Sequence, residues 1–543
     1  MQKKLTEDLS TTAVHSRGRA AVAPRTVPAL TIVSHPQPQR IGERRLLSEM
    51  IAAAGRTASL SRNAPDFSRP GSVLALPLGD PFISRKPVQF EPGARGGVRL
   101  LVPEDGTGVR VAGQPVVGCR EFSPEELAAG VPLELAERVV LLLHHASSSP
   151  ESGPGELGMV GQGEGVRRVR EDVSRVADLN VPVLIRGETG SGKELVARAI
   201  HQHSTRRDGP FISVNLGALS KELVSAELFG ARKGAYTGAT GDREGFFRAA
   251  HGGTLFLDEV GEAPPEVQVA LLRVLETGEV FPVGGSAPVR VDVRLITATD
   301  ANLEERIRQG HFKAPLLHRL AGYEIQVPPL RERREDIGTL FMHFARQELE
   351  TTGEAQRLTS ADPRAEPWLP TSLAMRLVRY AWPGNIRQLR NVARQLVIGS
   401  RGLPHLRVDA RLEQELDSAA APIPGQAVSA PAPSSSAEEP DSADDKAARR
   451  KPSDVGEQEL LEALRASSWD LKAAADRLGI PRSSVYVLID KSSLIRTARD
   501  LSPEEITRCF QECQGDLDQM VRRLEVSKRA LQRRVRELGL GGD

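Results

Sequence analysis

The chain has 543 residues, 39% of them hydrophobic and 26% charged, the composition of a soluble globular protein long enough for three or four separately cored domains. With 72 basic and 71 acidic side chains the net charge is +1, so only local charge can argue for nucleic acid. Cys119, Cys509 and Cys513 are too few for a disulfide framework and lack neighbours for a zinc site; there is no apolar signal core and no run long enough to span a bilayer, so a cytoplasmic protein without a membrane segment is expected.

Residues 1–27 mix Ser, Thr, Pro and charge without periodicity and read as a disordered tail. Over 28–146 short runs such as LTIVSH, VQFEP, VRLLVP and VRVAG alternate with turn signals, which predicts an all-β sandwich, and 147–157 is a linker by composition. Over 158–328 strand-like runs (VPVLIRG, PFISVN, TLFLDE, VRLITAT) alternate with helical patterns, which predicts a parallel α/β domain; 329–417 turns helical, fitting a small lid. The Pro-, Ala-, Ser- and charge-rich stretch 418–452 is a flexible linker. Beyond it, residues 453–500 and 501–543 form two copies of one helical unit at an offset of 46: Asp470 aligns with Asp516, Leu471 with Leu517 and Leu478 with Leu524.

GETGSGKE (187–194) follows one predicted strand and opens an amphipathic helix. Gly187, Gly190 and Gly192 allow backbone N–H groups to turn inward around phosphates at a helix N-terminus, and Lys193 supplies a cation for the β- and γ-phosphates. Glu194 stands where a Ser or Thr would contact Mg²⁺. TLFLDE (254–259) ends an apolar strand in two carboxylates, suited to placing Asp258 on Mg²⁺ and Glu259 on the attacking water. Taken alone, such a strand reads better as an ordinary core strand ending in a solvated acidic turn; its pairing with the phosphate loop reverses that reading.

These blocks resemble the sigma-54-dependent transcription activators, a family of AAA+ ATPases. GETGSGKE is similar to the family's phosphate loop, in which Glu commonly follows the Lys. ELFGARKGAYTGA (227–239), RLITATD (294–300), VPPLRERREDI (327–337) and YAWPGNIRQLRN (380–391) match further family blocks in order. The resemblance covers roughly 158–415 and implies ATP and Mg²⁺ as ligands, bound by the loop residues Gly187, Glu188, Thr189, Gly190, Ser191, Gly192, Lys193 and Glu194. It implies that Asn215 restrains Glu259, that Thr299 and Asp300 fill the sensor I position, and that Arg387 reads the γ-phosphate of its own subunit. Gly234, Ala235, Tyr236, Thr237, Gly238 and Ala239 would form the loop that engages the sigma-54 RNA polymerase holoenzyme. In GHFKAPLLHRL (310–320), Lys313 and Pro315 replace the family's Arg and Asp, whereas Arg319 is retained to reach a neighbouring subunit in a homo-oligomeric ring, expected to be a hexamer. Lys lacks the planar fork of Arg, which weakens the expected stimulation in trans.

Both C-terminal copies resemble a Fis-type helix-turn-helix, which implies binding to upstream enhancer DNA through Arg482, Ser483, Ser484 and Tyr486 in the first copy and Lys528, Arg529, Gln532, Arg533 and Arg536 in the second. The second is the better candidate, with seven basic and two acidic residues between Arg522 and Glu537. The N-terminal β region resembles a forkhead-associated domain, on RIGERRLL (40–47), DPFISRKPVQF (80–90) and VRVAGQPV (109–116). That implies a phosphothreonine protein or Ser/Thr kinase as partner, with Arg44, Arg45, Ser84 and Arg85 around the phosphate. The family's His after SR is absent, and Ala112 stands in place of the usual Asn. Two alternatives stay open: a DNA-binding regulator that keeps the ATPase fold without motor activity, and another AAA+ machine such as a chelatase or unfoldase.

Overall fold

The computed structural model describes residues 26–48, 57–148, 155–220, 223–235, 241–359, 362, 364–418, 457–467, 469, 474, 477–478, 488, 501–513, 516–524, 526, 531 and 534–535. They fall into two compact units, divided at Val428 and Ser429.

In the first unit, the front β region builds an eight-stranded and a four-stranded sheet that share one apolar core, including Leu30, Ile32, Phe67, Phe90 and Phe122. Most of its strands obey the two-residue period: Val98–Val102 buries Val98, Leu100 and Val102 and exposes Arg99. The paired strands Thr26–Ser34 and Val139–Ser147 do not, and are buried along nearly their whole length. The reason is a second cover. The helices Ile337–Thr351 and Thr371–Arg379 pack on these strands, and their apolar residues join the same core. Polar groups lock the contact: the Ser34 hydroxyl donates to Leu369 O at 2.7 Å, and Arg138 Nη1 donates to Arg364 O at 3.2 Å. The sequence pattern implies separately cored domains; instead the front sandwich and the lid share one core. Unbroken apolar runs such as VVLLL bury both faces of a strand, which an isolated sandwich with one solvated face does not require.

The α/β part has a five-stranded sheet, all parallel, in the order Phe211–Asn215, Thr254–Asp258, Arg294–Thr299, Val183–Arg186, Tyr323–Gln326. The register sets Asn215 beside Asp258 and Arg186 beside Thr299. The carboxyl ends of four strands, and the loop after Arg186, therefore open at one edge, where ligands bind in sheets of this kind. Helix Lys193–Gln202 follows that loop.

In the second unit, the helices Glu457–Ala466, Pro503–Glu512 and Leu517–Leu524 close over Leu460, Leu464, Trp469, Ile506, Met520 and Leu531, so the two sequence copies share a core. Cys509 and Cys513 are free thiols within it, Sγ to Sγ 3.9 Å. Burial pushes the Cys509 thiol up to about 11.

Candidate nucleotide site

The loop Gly187–Gly192 is shaped by steric demands at its glycines. Gly190 and Gly192 have φ of +76° and +105°, in the left-handed region that favours glycine. A β-carbon on Gly190 would also stand 2.4 Å from Gly384 O. Gly187 is needed for closeness rather than conformation, because a β-carbon there would stand 2.8 Å from Val327 O.

Lys193 opens the helix, its ammonium donating to Gly187 O at 2.8 Å and Glu188 O at 3.3 Å. Burial holds it below the usual lysine range, against the upward pull of Asp258, Asp300 and Glu259; Arg387 adds to the lowering. Four expected site residues from three other segments thus act electrostatically on Lys193. Thr189 Oγ1 donates to Asp300 Oδ2 at 2.5 Å, tying the loop to the sensor I position, and Gly187 N donates to Thr299 O at 3.2 Å. Arg387 N lies 3.3 Å from Gly190 O. Glu188 is gripped by Arg331 through two bonds of 2.8 and 2.7 Å, which holds its carboxyl below the usual range. Glu194 pairs with Arg198 one helical turn on.

Glu259 has a left-handed backbone, φ 56°, uncommon for a residue with a side chain, and it follows Asp258, whose Oδ1 accepts from Glu259 N at 3.0 Å. Asn215 Oδ1 accepts from Ala218 N at 3.1 Å, capping the turn Leu216–Ala218. The Glu259 carboxylate lies over that same turn, so close to Gly217 that a β-carbon there would stand 2.1 Å from Oε2.

Beside the loop is a cavity of about 290 Å³, walled by Met159, Val160, Leu195, Val196, Val327 and Ile386 among others. Ser191 Oγ, 2% exposed, also lines it and has no protein hydrogen-bond partner among the described residues. An apolar slot, a buried orphan hydroxyl and a glycine loop ending in a lysine fit a nucleotide: base in the slot, phosphates on the loop. The slot was not foreseen from the sequence. Its signal is the segment after the linker, where Asp336 accepts from Gln162 N and Gly163 N at 2.6 and 2.8 Å and Arg170 bonds Met159 O and Gly161 O.

Residues 159–326 match the family model of the sigma-54 interaction domain, and residues 331–420 match that of the AAA+ ATPase lid. The central part of the chain is a sigma-54 interaction domain with its AAA+ lid. It is an ATPase domain of the P-loop type. Curated relatives include the DNA-binding transcriptional regulator NtrC of Escherichia coli strain K12, 46% identical over 244 residues, which are 45% of this chain and 50% of NtrC. The nitric oxide reductase transcription regulator NorR1 of Cupriavidus necator is 44% identical over 259 residues, 47% of this chain and 48% of NorR1. Among solved structures, NtrX of Brucella abortus with ADP is 30% identical, covering 71% of this chain and 70% of that one at a TM-score of 0.43. The chain spans about half the length of the curated relatives it matches.

In the sigma-54 interaction domain the limbs of the expected contact loop are pinned: Ala231 bridges Arg243, and Arg232 Nη1 donates to Asp242 Oδ2 at 2.5 Å. Gly234, φ +80°, and Ala235 lie on one limb, while Tyr236, Thr237, Gly238 and Ala239 lie outside the described residues. Lys313, just before the helix Ala314–Leu320, and Arg319, on it, are exposed, and Arg319 faces Glu276 at 3.7 Å.

Of the four residues expected around a phosphopeptide, two share one cavity. Arg44 and Arg45 line a polar cavity of about 650 Å³ with Ser68, Arg69, Ser72 and Ser147, and neither Ser84 nor Arg85 borders it. Ser84 instead sits in a loop where its N–H donates to Thr107 Oγ1 at 2.9 Å and its carbonyl accepts from Arg62 N at 3.0 Å; Arg85 is exposed. The expected DNA contacts, Arg482, Ser483, Ser484, Tyr486, Lys528, Arg529, Gln532, Arg533 and Arg536, lie outside the described residues. Among the described residues no helix is long and apolar enough to cross a membrane.

Proposed function

We propose that the chain is a sigma-54-dependent transcription activator that hydrolyses ATP in a homo-oligomeric ring, expected to be a hexamer, while tethered to upstream DNA by its C-terminal helices. The observation that carries this reading is the convergence of Lys193, Asp258, Glu259, Asp300 and Arg387 at one sheet edge, in a domain that also holds the pinned loop limbs at Ala231 and Arg243.

Lys193 would exchange its bonds to Gly187 O and Glu188 O for phosphate oxygens. Glu259, fixed over the Asn215 turn, would take the proton of the attacking water. Asp258 would hold Mg²⁺, which would supply charge neutralisation on the phosphates, in keeping with a cation held by one or two carboxylates plus phosphate. Arg387 would bind the γ-phosphate in its own subunit, and Arg319, aided weakly by Lys313, in the next. Movement of the loop tip at Tyr236 and Thr237 would remodel the polymerase complex.

The front β domain is proposed as the input module. Its contact with the lid supports a mechanical route to the nucleotide site, and its phosphothreonine reading rests on Arg44, Arg45, Ser84 and Arg85. Binding to phosphothreonine peptides, lost in Arg85→Ala, tests that part.

The central test is ATP hydrolysis by the full chain, expected to vanish in Lys193→Ala, followed by opening of a sigma-54 promoter carrying an upstream site. Tyr236→Ala is expected to hydrolyse ATP without opening the promoter. A wild-type chain that hydrolyses no ATP, or hydrolyses it and opens no such promoter, overturns the reading.

A further inference from the structure

Asn385 has no surface exposure, and its backbone is left-handed at φ 51°. Trp382, three residues earlier, is likewise fully buried and left-handed at 52°, and its carbonyl accepts from Asn385 N at 2.8 Å. Two non-glycine residues in this conformation within one turn cost stability, and such strain persists only where the surroundings impose it.

What the turn achieves is the placement of one carboxamide. Asn385 Oδ1 accepts from Leu330 N at 2.8 Å, at the point where the chain enters the lid. Its Nδ2 donates to Glu188 Oε2 and to Thr189 O, both at 3.1 Å, in the phosphate loop. The amide orientation is fixed by chemistry, since Oδ1 faces an N–H and Nδ2 faces two acceptors. Arg331, next to Leu330, takes the same Glu188 carboxylate through both its terminal nitrogens. Glu188 and Thr189 are thereby held from the lid side, while Thr189 Oγ1 reaches Asp300 on the other.

We infer that Asn385 is a positioning residue for ATP turnover: it ties the lid to the phosphate loop through Glu188 and Thr189, so the loop's grip on the triphosphate depends on where the lid stands. The inference rests on the ATPase reading above. Asn suits the place because it tolerates the left-handed backbone better than other side chains and supplies both a donor pair and an acceptor. Leucine or alanine would leave the buried Leu330 N–H without its acceptor and would take one donor from Glu188 Oε2 and from Thr189 O.

Two variants of the full chain test it. Asn385→Gly keeps the backbone conformation and removes the carboxamide. Asn385→Asp keeps the acceptor for Leu330 N and sets a carboxylate against Glu188. Both are expected to raise KM for ATP about tenfold while kcat stays within about threefold, the signature of weakened nucleotide grip. For Asn385→Asp the ratio of variant to wild-type KM is expected to fall as pH drops from 8 to 6, because a carboxyl facing a second carboxylate is raised towards that range and, once protonated, donates to Glu188 again. A purely structural role would lower the melting midpoint without any pH-dependent KM ratio. KM within twofold of wild type in either variant, or a ratio for Asn385→Asp that does not move with pH, overturns the inference; absence of hydrolysis in the wild-type chain would instead overturn the ATPase reading.

Discussion

Gly338, the second residue of the first lid helix, lies so close to the front strand that a β-carbon on it would stand 3.0 Å from Val33 O and 3.1 Å from Ile41 Cγ2. At 100° per residue, Leu340, His343, Phe344 and Gln347 fall on the opposite side of that helix, and these four line the nucleotide cavity. One helix therefore has the front β domain on one side and the nucleotide slot on the other. Gly338→Val forces the two apart at a backbone atom, and is expected to lower the unfolding free energy by about 1–3 kcal/mol. It should also speed amide exchange in Thr26–Ser34, read by hydrogen exchange with mass spectrometry. Gly399, with open space where its β-carbon would lie, is the control: Gly399→Ala should leave exchange in that strand unchanged.

Gly217→Ala should separate stability from catalysis. The clash it creates is with Glu259 Oε2, the free end of a side chain, which can swing away at small cost to the fold. The carboxylate is then displaced from its position over the Asn215 turn. A misplaced general base costs about 100-fold in rate. Steady-state ATPase should show that loss in kcat with nucleotide affinity and melting midpoint little changed; wild-type turnover in Gly217→Ala would remove Glu259 from the proposed role.

The nucleotide loop and its acids were legible because their chemistry is local: glycines and a lysine announce themselves within the eight residues 187–194, and an acidic strand end within the six residues 254–259. The AAA+ type of the central region followed from five such blocks in order. Asn385 was not legible, because its partners Glu188 and Thr189 lie almost two hundred residues away and nothing in GNIRQL states what a buried carboxamide will meet. The lid contact left a readable trace in the unbroken run VVLLL, whose lack of alternation requires cover on both faces. The phosphopeptide quartet is a different case. Arg44, Arg45, Ser84 and Arg85 have the right chemistry, but residue type carries no information about which loops the sandwich brings together.

Acid should loosen the front domain. His144 is buried, with Nε2 facing Thr31 Oγ1 at 2.8 Å and Nδ1 facing His145 O at 2.9 Å, a pairing that suits the neutral ring donating from Nδ1. Burial first, and Arg44 second, lower it from the usual 6.5 to about 3; burial and Arg40 lower His35 to about 4. Because these folded-state values lie below the unfolded ones, the unfolded chain binds more protons on these two groups. Their contribution is present in full above about pH 6.5 and drains away as pH falls towards 3. The midpoint of front-domain unfolding should fall over that window, and His144→Gln should reduce the slope. A slope identical to wild type would mean that His144 does not titrate with folding.

The exposed helix Ala314–Leu320 supplies the sharpest test of ring assembly. Arg319 meets only Glu276 among its described ion-pair partners, at 3.7 Å, a solvent-exposed pair of little energetic weight that leaves the guanidinium available to a neighbour. If it serves the next subunit, Arg319→Ala destroys the finger and keeps the pocket, whereas Lys193→Ala destroys the pocket and keeps the finger. Each homomeric variant is expected to lose at least about 100-fold in ATPase rate. Mixed in equal amounts and allowed to exchange, they should recover about a quarter of wild-type activity, because in a random ring about one interface in four joins an intact Lys193 to an intact Arg319. Lys313→Arg, by restoring the planar fork, should raise the wild-type rate further. Recovery requires the two residues to meet across a subunit boundary; a mixture no more active than its components would confine hydrolysis to a single chain.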